Sequence, residues 1–103
     1  VETSGPNPAD FSLLSIGACT LVSPREEFYV ELQPTTANSD AESQKTHQLD
    51  LQKLSLTGET PQMAMYSFAD WLTDVILSDA HPLFLGFNAP FDWMFICDGV
   101  QTP

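Results

Sequence analysis

Apolar and polar positions along this chain fall into patterned stretches separated by polar connections. Phe11 to Val22 is rich in Leu, Ile, Val and small residues, and Phe28-Tyr29-Val30-Glu31-Leu32 alternates so that Phe28, Val30 and Leu32 share one face. Ser23-Pro24-Arg25-Glu26 lies between them and is turn chemistry, so the pair predicts an antiparallel hairpin. Gln33 to Glu59 is mostly polar and reads as a long connection with a short helical turn around Leu49 to Leu56. Thr60-Pro61 then supplies an N-cap and a proline at the first helical position, where the missing N–H is harmless. Met65, Phe68, Trp71, Leu72, Val75 and Ile76 follow at helical spacing and define one apolar face. Leu83-Phe84-Leu85-Gly86-Phe87 is a short continuous apolar run, which suits a strand covered on both faces as in a parallel sheet. Pro90 opens a final helix through Phe91, Asp92, Trp93, Met94 and Ile96. The order predicts an α/β architecture with a mixed sheet, an antiparallel hairpin plus a parallel strand with helices.

Length and composition narrow this only slightly. A chain of 103 residues with 43% hydrophobic content is one globular folding unit. No apolar run approaches the roughly 18 to 20 residues that span a bilayer, so no membrane partner is expected. Cys19 and Cys97 have no CxxC spacing and no His cluster beside them, which favours free thiols and a reducing, cytoplasmic setting. Charge has more to say: 3 basic against 14 acidic residues give a formal net charge of -11. Such a field repels polyanions, so a nucleic-acid partner requires divalent cations in one cleft or a basic rim supplied from elsewhere.

Two short motifs carry candidate chemistry. Asn88-Ala89-Pro90-Phe91-Asp92 follows the apolar run and sets a lone carboxylate at the predicted strand-to-helix junction. Glu2-Thr3-Ser4-Gly5-Pro6 lies at the other end. Two-metal phosphodiester hydrolysis needs several carboxylates converging on two divalent ions about 3.5 to 4 Å apart. A D-x-E pair on a strand suits that need, because side chains at i and i+2 share a face. Glu2 is placed as the second member of such a pair, and the first would stand immediately before Val1.

On these residues the chain resembles the DnaQ-like (DEDD) 3′ to 5′ exonuclease family. Val1-Glu2-Thr3-Ser4-Gly5 matches the family's first motif, D-x-E-T-x-G, without its leading Asp, and Phe87-Asn88-Ala89-Pro90-Phe91-Asp92 matches the second, with Phe87 where His is frequent. The resemblance implies a ribonuclease H-like fold, here incomplete, with residues 1–103 forming a single partial exonuclease domain. It implies Glu2 and Asp92 as catalytic metal ligands for Mg²⁺ or Mn²⁺, two ions in the complete site. Thr3, Asn88 and Phe91 become substrate-binding positions, Thr3 through its backbone or hydroxyl and Phe91 more by packing than by chemistry. The substrate it implies is a single-stranded DNA or RNA 3′ end. The family's third motif, with a His or Tyr base and a further carboxylate, has no counterpart after Asp92, so the segment alone is expected to be inactive. Nearly all of the central strand that carries D-x-E in that fold is also missing, so poor stability by itself is expected.

Plainer readings stand beside these. Asp92 in a helix's first turn opposes the helix dipole whatever else it does. His47 reads as a surface residue in a polar loop, His81-Pro82 as a turn before a strand, and Trp71 and Trp93 as core aromatics. A catalytically degenerate nuclease-like binding or interaction module competes with the enzyme, favoured by the net charge and the missing ligands. In an unrelated acidic α/β domain, both motifs would be coincidental and would lie far apart.

Overall fold

The computed structural model describes residues 1–76, 83–86 and 88–101. Three strands, β1 (Glu2–Thr3), β2 (Leu13–Cys19) and β3 (Glu27–Glu31), form an antiparallel sheet in the order β1-β2-β3. The helices are α1 (Ala41–His47), α2 (Leu51–Thr57), α3 (Pro61–Val75) and α4 (Ala89–Gln101). The expected hairpin is β2 and β3, with Ile16 opposite Val30 and Ala18 opposite Phe28. That register puts the apolar alternation of both strands on one face, because directly opposed residues share a face.

The core forms where this face meets the helices. Ile16 and Leu32 from the sheet side pack with Ala64 and Phe68 of α3, and Ile96 of α4 joins from the edge of the cluster. Phe28, Phe68 and Trp71 make a ring group with centroids 5.4 to 6.3 Å apart, so Trp71 is a packing aromatic as expected. Helix α3 begins as its sequence predicts. The Thr60 hydroxyl accepts from the Met63 N–H at 3.3 Å, and Pro61 takes the first helical position.

The polar connection holds more helix than its composition suggests. Asp40 and Asp50 each cap a helix, their side chains accepting backbone N–H groups in the first turn of α1 and α2. Leu54 of α2 is buried, and the parallel bridge between Leu32 and Glu59 returns the chain to the end of β3. His47, expected in a polar loop, is the last residue of α1 and is half-buried.

The expected parallel strand is the main departure. Leu83–Gly86 has no regular secondary structure, and Leu83 and Leu85 are 86% and 71% exposed. Phe87 and His81-Pro82 lie outside the described residues. An apolar run becomes a strand when neighbours supply a ladder and cover, and β1 offers a ladder only two residues long. The described sheet is therefore wholly antiparallel. The fold is a mixed α/β arrangement of this three-stranded sheet with four helices among the described residues.

Candidate functional site

Strand β1 is short but well anchored. Buried Ser4 accepts the Ser12 N–H on its hydroxyl at 2.8 Å and donates its own N–H to the Ser12 carbonyl at 2.9 Å. The Ser4 carbonyl accepts the Asp40 N–H at 2.8 Å, which ties the start of α1 to the same segment. Gly5 is needed here because a Cβ would enter the ring of Phe11. The polar first motif thus folds as a fixed corner against β2 and α1.

Thr3 and Phe91 are structural in the first instance. Thr3 is buried, and its hydroxyl donates to the Gly5 carbonyl at 2.8 Å, closing the corner. Its hydroxyl is engaged there, leaving the backbone as the part that could meet a ligand. Phe91 packs on Phe95, ring centroids 5.2 Å apart, and Phe95 is buried. Asn88 opens α4: its carbonyl accepts the N–H of Phe91 at 2.9 Å and of Asp92 at 3.3 Å. This turn lifts Asp92 into the first turn of the helix, where a carboxylate opposes the positive end of the dipole.

The two motifs, some ninety residues apart in sequence, meet at one point. The Val1 nitrogen lies 3.6 Å from Asp92 Oδ1, while the Val1 side chain is packed against the core. A Cβ on Gly86 would stand 3.1 Å from Asp92 Oδ2, so the bare backbone there gives the carboxylate its room. The Val1 ammonium and the Asp92 carboxylate are thus within ion-pairing distance. The contact brings the start of the first motif beside the carboxylate of the second, through Val1 and not through the Glu2 side chain.

Glu2 projects from the other face of the strand from Val1, as alternation requires. It pairs with Ser15, which pairs in turn with Glu31, so these three share the polar face of the sheet with Tyr29. Burial, and then the Glu31 carboxylate accepting its hydroxyl at 2.8 Å, hold the Tyr29 phenol above its ordinary value, with Glu2 acting in the same sense. His47 also feels Glu2. Burial pushes the His47 imidazole below its ordinary value, and the Glu2 charge partly opposes this. Its Nδ1 accepts the Leu49 N–H at 2.8 Å, which leaves the proton on Nε2, and Nε2 is buried without a partner. Spacing alone gave no sign of this neighbour; the one legible hint was Asp40 as a helix cap, which carries His47 back towards β1.

Glu2 and Asp92 offer oxygen donors, the type that suits Mg²⁺ or Mn²⁺. Among the described residues no group of three or more His, Cys, Asp or Glu side chains could hold a metal ion. These residues thus match a two-ion site in donor type but fall short in donor number. The described helices include none long and apolar enough to cross a membrane.

No protein-family model matches the chain. It is similar to the 3′-5′ DNA exonuclease Cap18 of Escherichia coli, 42% identical over 96 residues that cover 93% of this chain and 51% of that protein. The chain thus spans about half the length of the curated relative it matches. A relative of that name at this identity supports a 3′-5′ exonuclease family for the chain, in agreement with the two motifs that meet at Asp92.

Proposed function

We propose that this chain is one part of a metal-dependent 3′ to 5′ exonuclease of the DnaQ-like type, acting on the 3′ end of a single strand. The observation that carries the reading is the 3.6 Å approach of the Val1 nitrogen to Asp92. An Asp joined to that nitrogen would be the leading member of a D-x-E pair with Glu2 and would bring a second carboxylate towards Asp92. DNA is what the relative's name says of the relative, and the reading takes DNA as the substrate here.

In the complete enzyme, divalent ions would supply water activation and neutralise the leaving oxygen. The chain's own residues have simpler duties. Glu2 and Asp92 hold the ions, Asn88 sets the turn that orients Asp92, and the Thr3 backbone and Phe91 shape the wall beside the terminal nucleotide. The charge of -11 is compatible with a polyanionic substrate only where cations sit between them. On this reading the 103 residues alone are inactive, because two carboxylates without a base cannot complete the reaction.

The test is a chimera in which these residues replace the matched stretch of Cap18, assayed with Mg²⁺ on a 5′-labelled single strand. Stepwise release of 3′ mononucleotides is expected, and Glu2→Gln or Asp92→Asn should each lower the rate by more than about 100-fold, since even residues behind the ligands cost 10 to 100-fold. A chimera that folds but degrades nothing would favour the binding module, and full activity in both variants would remove these residues from the site.

A further inference from the structure

Strand β3 is an outer strand of the described sheet, and the phase of its hydrogen bonds fixes which backbone groups it spends on β2. The Thr20 N–H donates to the Glu26 carbonyl at 2.9 Å and the Leu32 N–H to the Leu14 carbonyl at 2.8 Å. In an antiparallel ladder of this register, the backbones of Phe28 and Val30 therefore face β2, and those of Glu27, Tyr29 and Glu31 turn away from it. At one end this outward edge is in use. The Glu31 carbonyl accepts the Glu59 N–H at 2.9 Å, and the Gln33 N–H donates to the Glu59 carbonyl at 2.8 Å. Among the described residues nothing meets the outward N–H and C=O groups of Glu27 and Tyr29.

An open edge is ordinarily guarded by lysine, proline or a bulge, and Glu27–Glu31 has none of these. Its guard is acidic. Glu27 and Glu31 share a side-chain face with Tyr29, which is 62% exposed. Antiparallel pairing of two copies about Tyr29 sets Glu27 opposite Glu31 twice, so like charges oppose self-pairing. One of these carboxylates already holds a cation: Arg25 Nε lies 3.2 Å from Glu27 Oε1, with both side chains exposed. The opposite face of β3 is apolar, with the Phe28 ring 5.7 Å from that of the half-buried Trp71.

We propose that β3 accepts an added strand from another protein, an extended segment with lysine or arginine at every second position and apolar residues between. Running antiparallel beside Glu27 to Tyr29, this segment hydrogen-bonds the free backbone groups and stops where Glu59 takes over the edge. Its cations fall on the face of Glu27, Tyr29 and Glu31, and its apolar side chains on the face of Phe28 and Trp71. The carboxylates attract the cations, and the exposed Tyr29 ring offers them a further contact. A net charge of -11 adds long-range attraction for such a segment and opposes a polyanion at the same edge. The inference stands apart from the exonuclease reading, since none of these residues is a proposed metal ligand.

The experiment titrates the isotope-labelled 103-residue chain with the end-capped peptide Lys-Val-Lys-Val-Lys at low salt and follows amide shifts and amide exchange. The Glu27 and Tyr29 amides should shift and exchange more slowly, and binding should weaken as salt rises. The isomer Lys-Lys-Lys-Val-Val, equal in charge but without the alternation, should bind at least about 10-fold more weakly. The same loss is expected on N-methylating the lysines, which removes the donors facing β3, whereas N-methylating the valines should change little. Glu27→Lys with Glu31→Lys should weaken the lysine peptide by about 10-fold and admit Glu-Val-Glu-Val-Glu, since attractive contacts become like-charge ones. Asp10→Lys with Glu42→Lys makes the same change in net charge at exposed positions elsewhere and should leave the preference in place. The proposal is overturned if no peptide perturbs β3, if alternation and N-methylation make no difference, if the chain pairs with itself through β3, or if a DNA oligonucleotide protects these amides instead. Because the peptide controls use the unaltered chain, they decide the question even where a variant fails to fold.

Discussion

Single residues set the corner that brings the two motifs together. Ser12 is buried, and its hydroxyl accepts the N–H groups of Thr35 and Thr36 at 2.9 and 3.2 Å. Ser12→Ala leaves both donors without that acceptor and should cost about 1 to 3 kcal/mol in denaturant unfolding. Gly58 is a steric requirement: a Cβ there would lie 2.6 Å from the Leu32 carbonyl carbon and 2.7 Å from the Gln33 nitrogen, both backbone atoms that cannot swing aside. Gly58→Ala should destabilise by about 1 to 3 kcal/mol. Gly17→Ala, which would meet only Tyr29 at 3.6 Å, should stay within about 0.5 kcal/mol. His47 adds a pH dependence. Its folded value lies below the ordinary one, so the unfolded chain binds the proton more readily. The stability it contributes is complete above the unfolded value and is lost as pH falls through the folded one. Proton NMR should find the His47 midpoint below that of a free histidine, and Glu2→Gln should lower it further by removing the opposing charge. A midpoint unmoved by Glu2→Gln would separate the two residues.

At the scale of elements, burial decides which predictions from pattern are realised. The hairpin and α3 were legible because their periodicity matches the face they bury. Phe68 sits at the centre of that packing, and Phe68→Ala should cost about 3 to 5 kcal/mol in thermal or denaturant unfolding. Helix α1 was not legible from apolar spacing, since it buries no residue fully; its signal is the Asp40 cap. The strand expected over Leu83 to Phe87 shows the reverse failure in its described part, Leu83–Gly86. Its apolar content is real, but a strand also needs a ladder, and the sequence of one segment carries no information about what lies beside it. Trp93 was misread for the same reason: expected in the core, it is 56% exposed on the outer side of α4. For the candidate site, the sequence supplied Glu2 and Asp92 as oxygen donors, while the contact at Val1 and the influence of Glu2 on His47 depend on tertiary packing.

For the molecule as a whole, the balance of packing lies on one side. Strands β2 and β3 with α3 enclose the core, whereas α4 contributes Phe95 and Ile96 inward and leaves an apolar stripe outward. Amide exchange of the isolated chain should accordingly be slowest in β2 and fastest among the helices in the outer turns of α4, and a hydrophobic dye should bind. Uniform protection across β2 and α4 would contradict that gradient. The central proposal is narrower than stability: the Val1-Glu2 end of β1 and the Asp92 carboxylate are parts of one metal site. Its most direct test is the Mn²⁺ affinity of the chain extended by a single Asp ahead of Val1, compared with the same chain extended by Ala. The account predicts tighter binding in the Asp form by at least about 10-fold, the scale on which a coordinating group matters, with the gain abolished by Asp92→Asn. Equal affinities of the Asp and Ala forms, or a gain that survives Asp92→Asn, would contradict it.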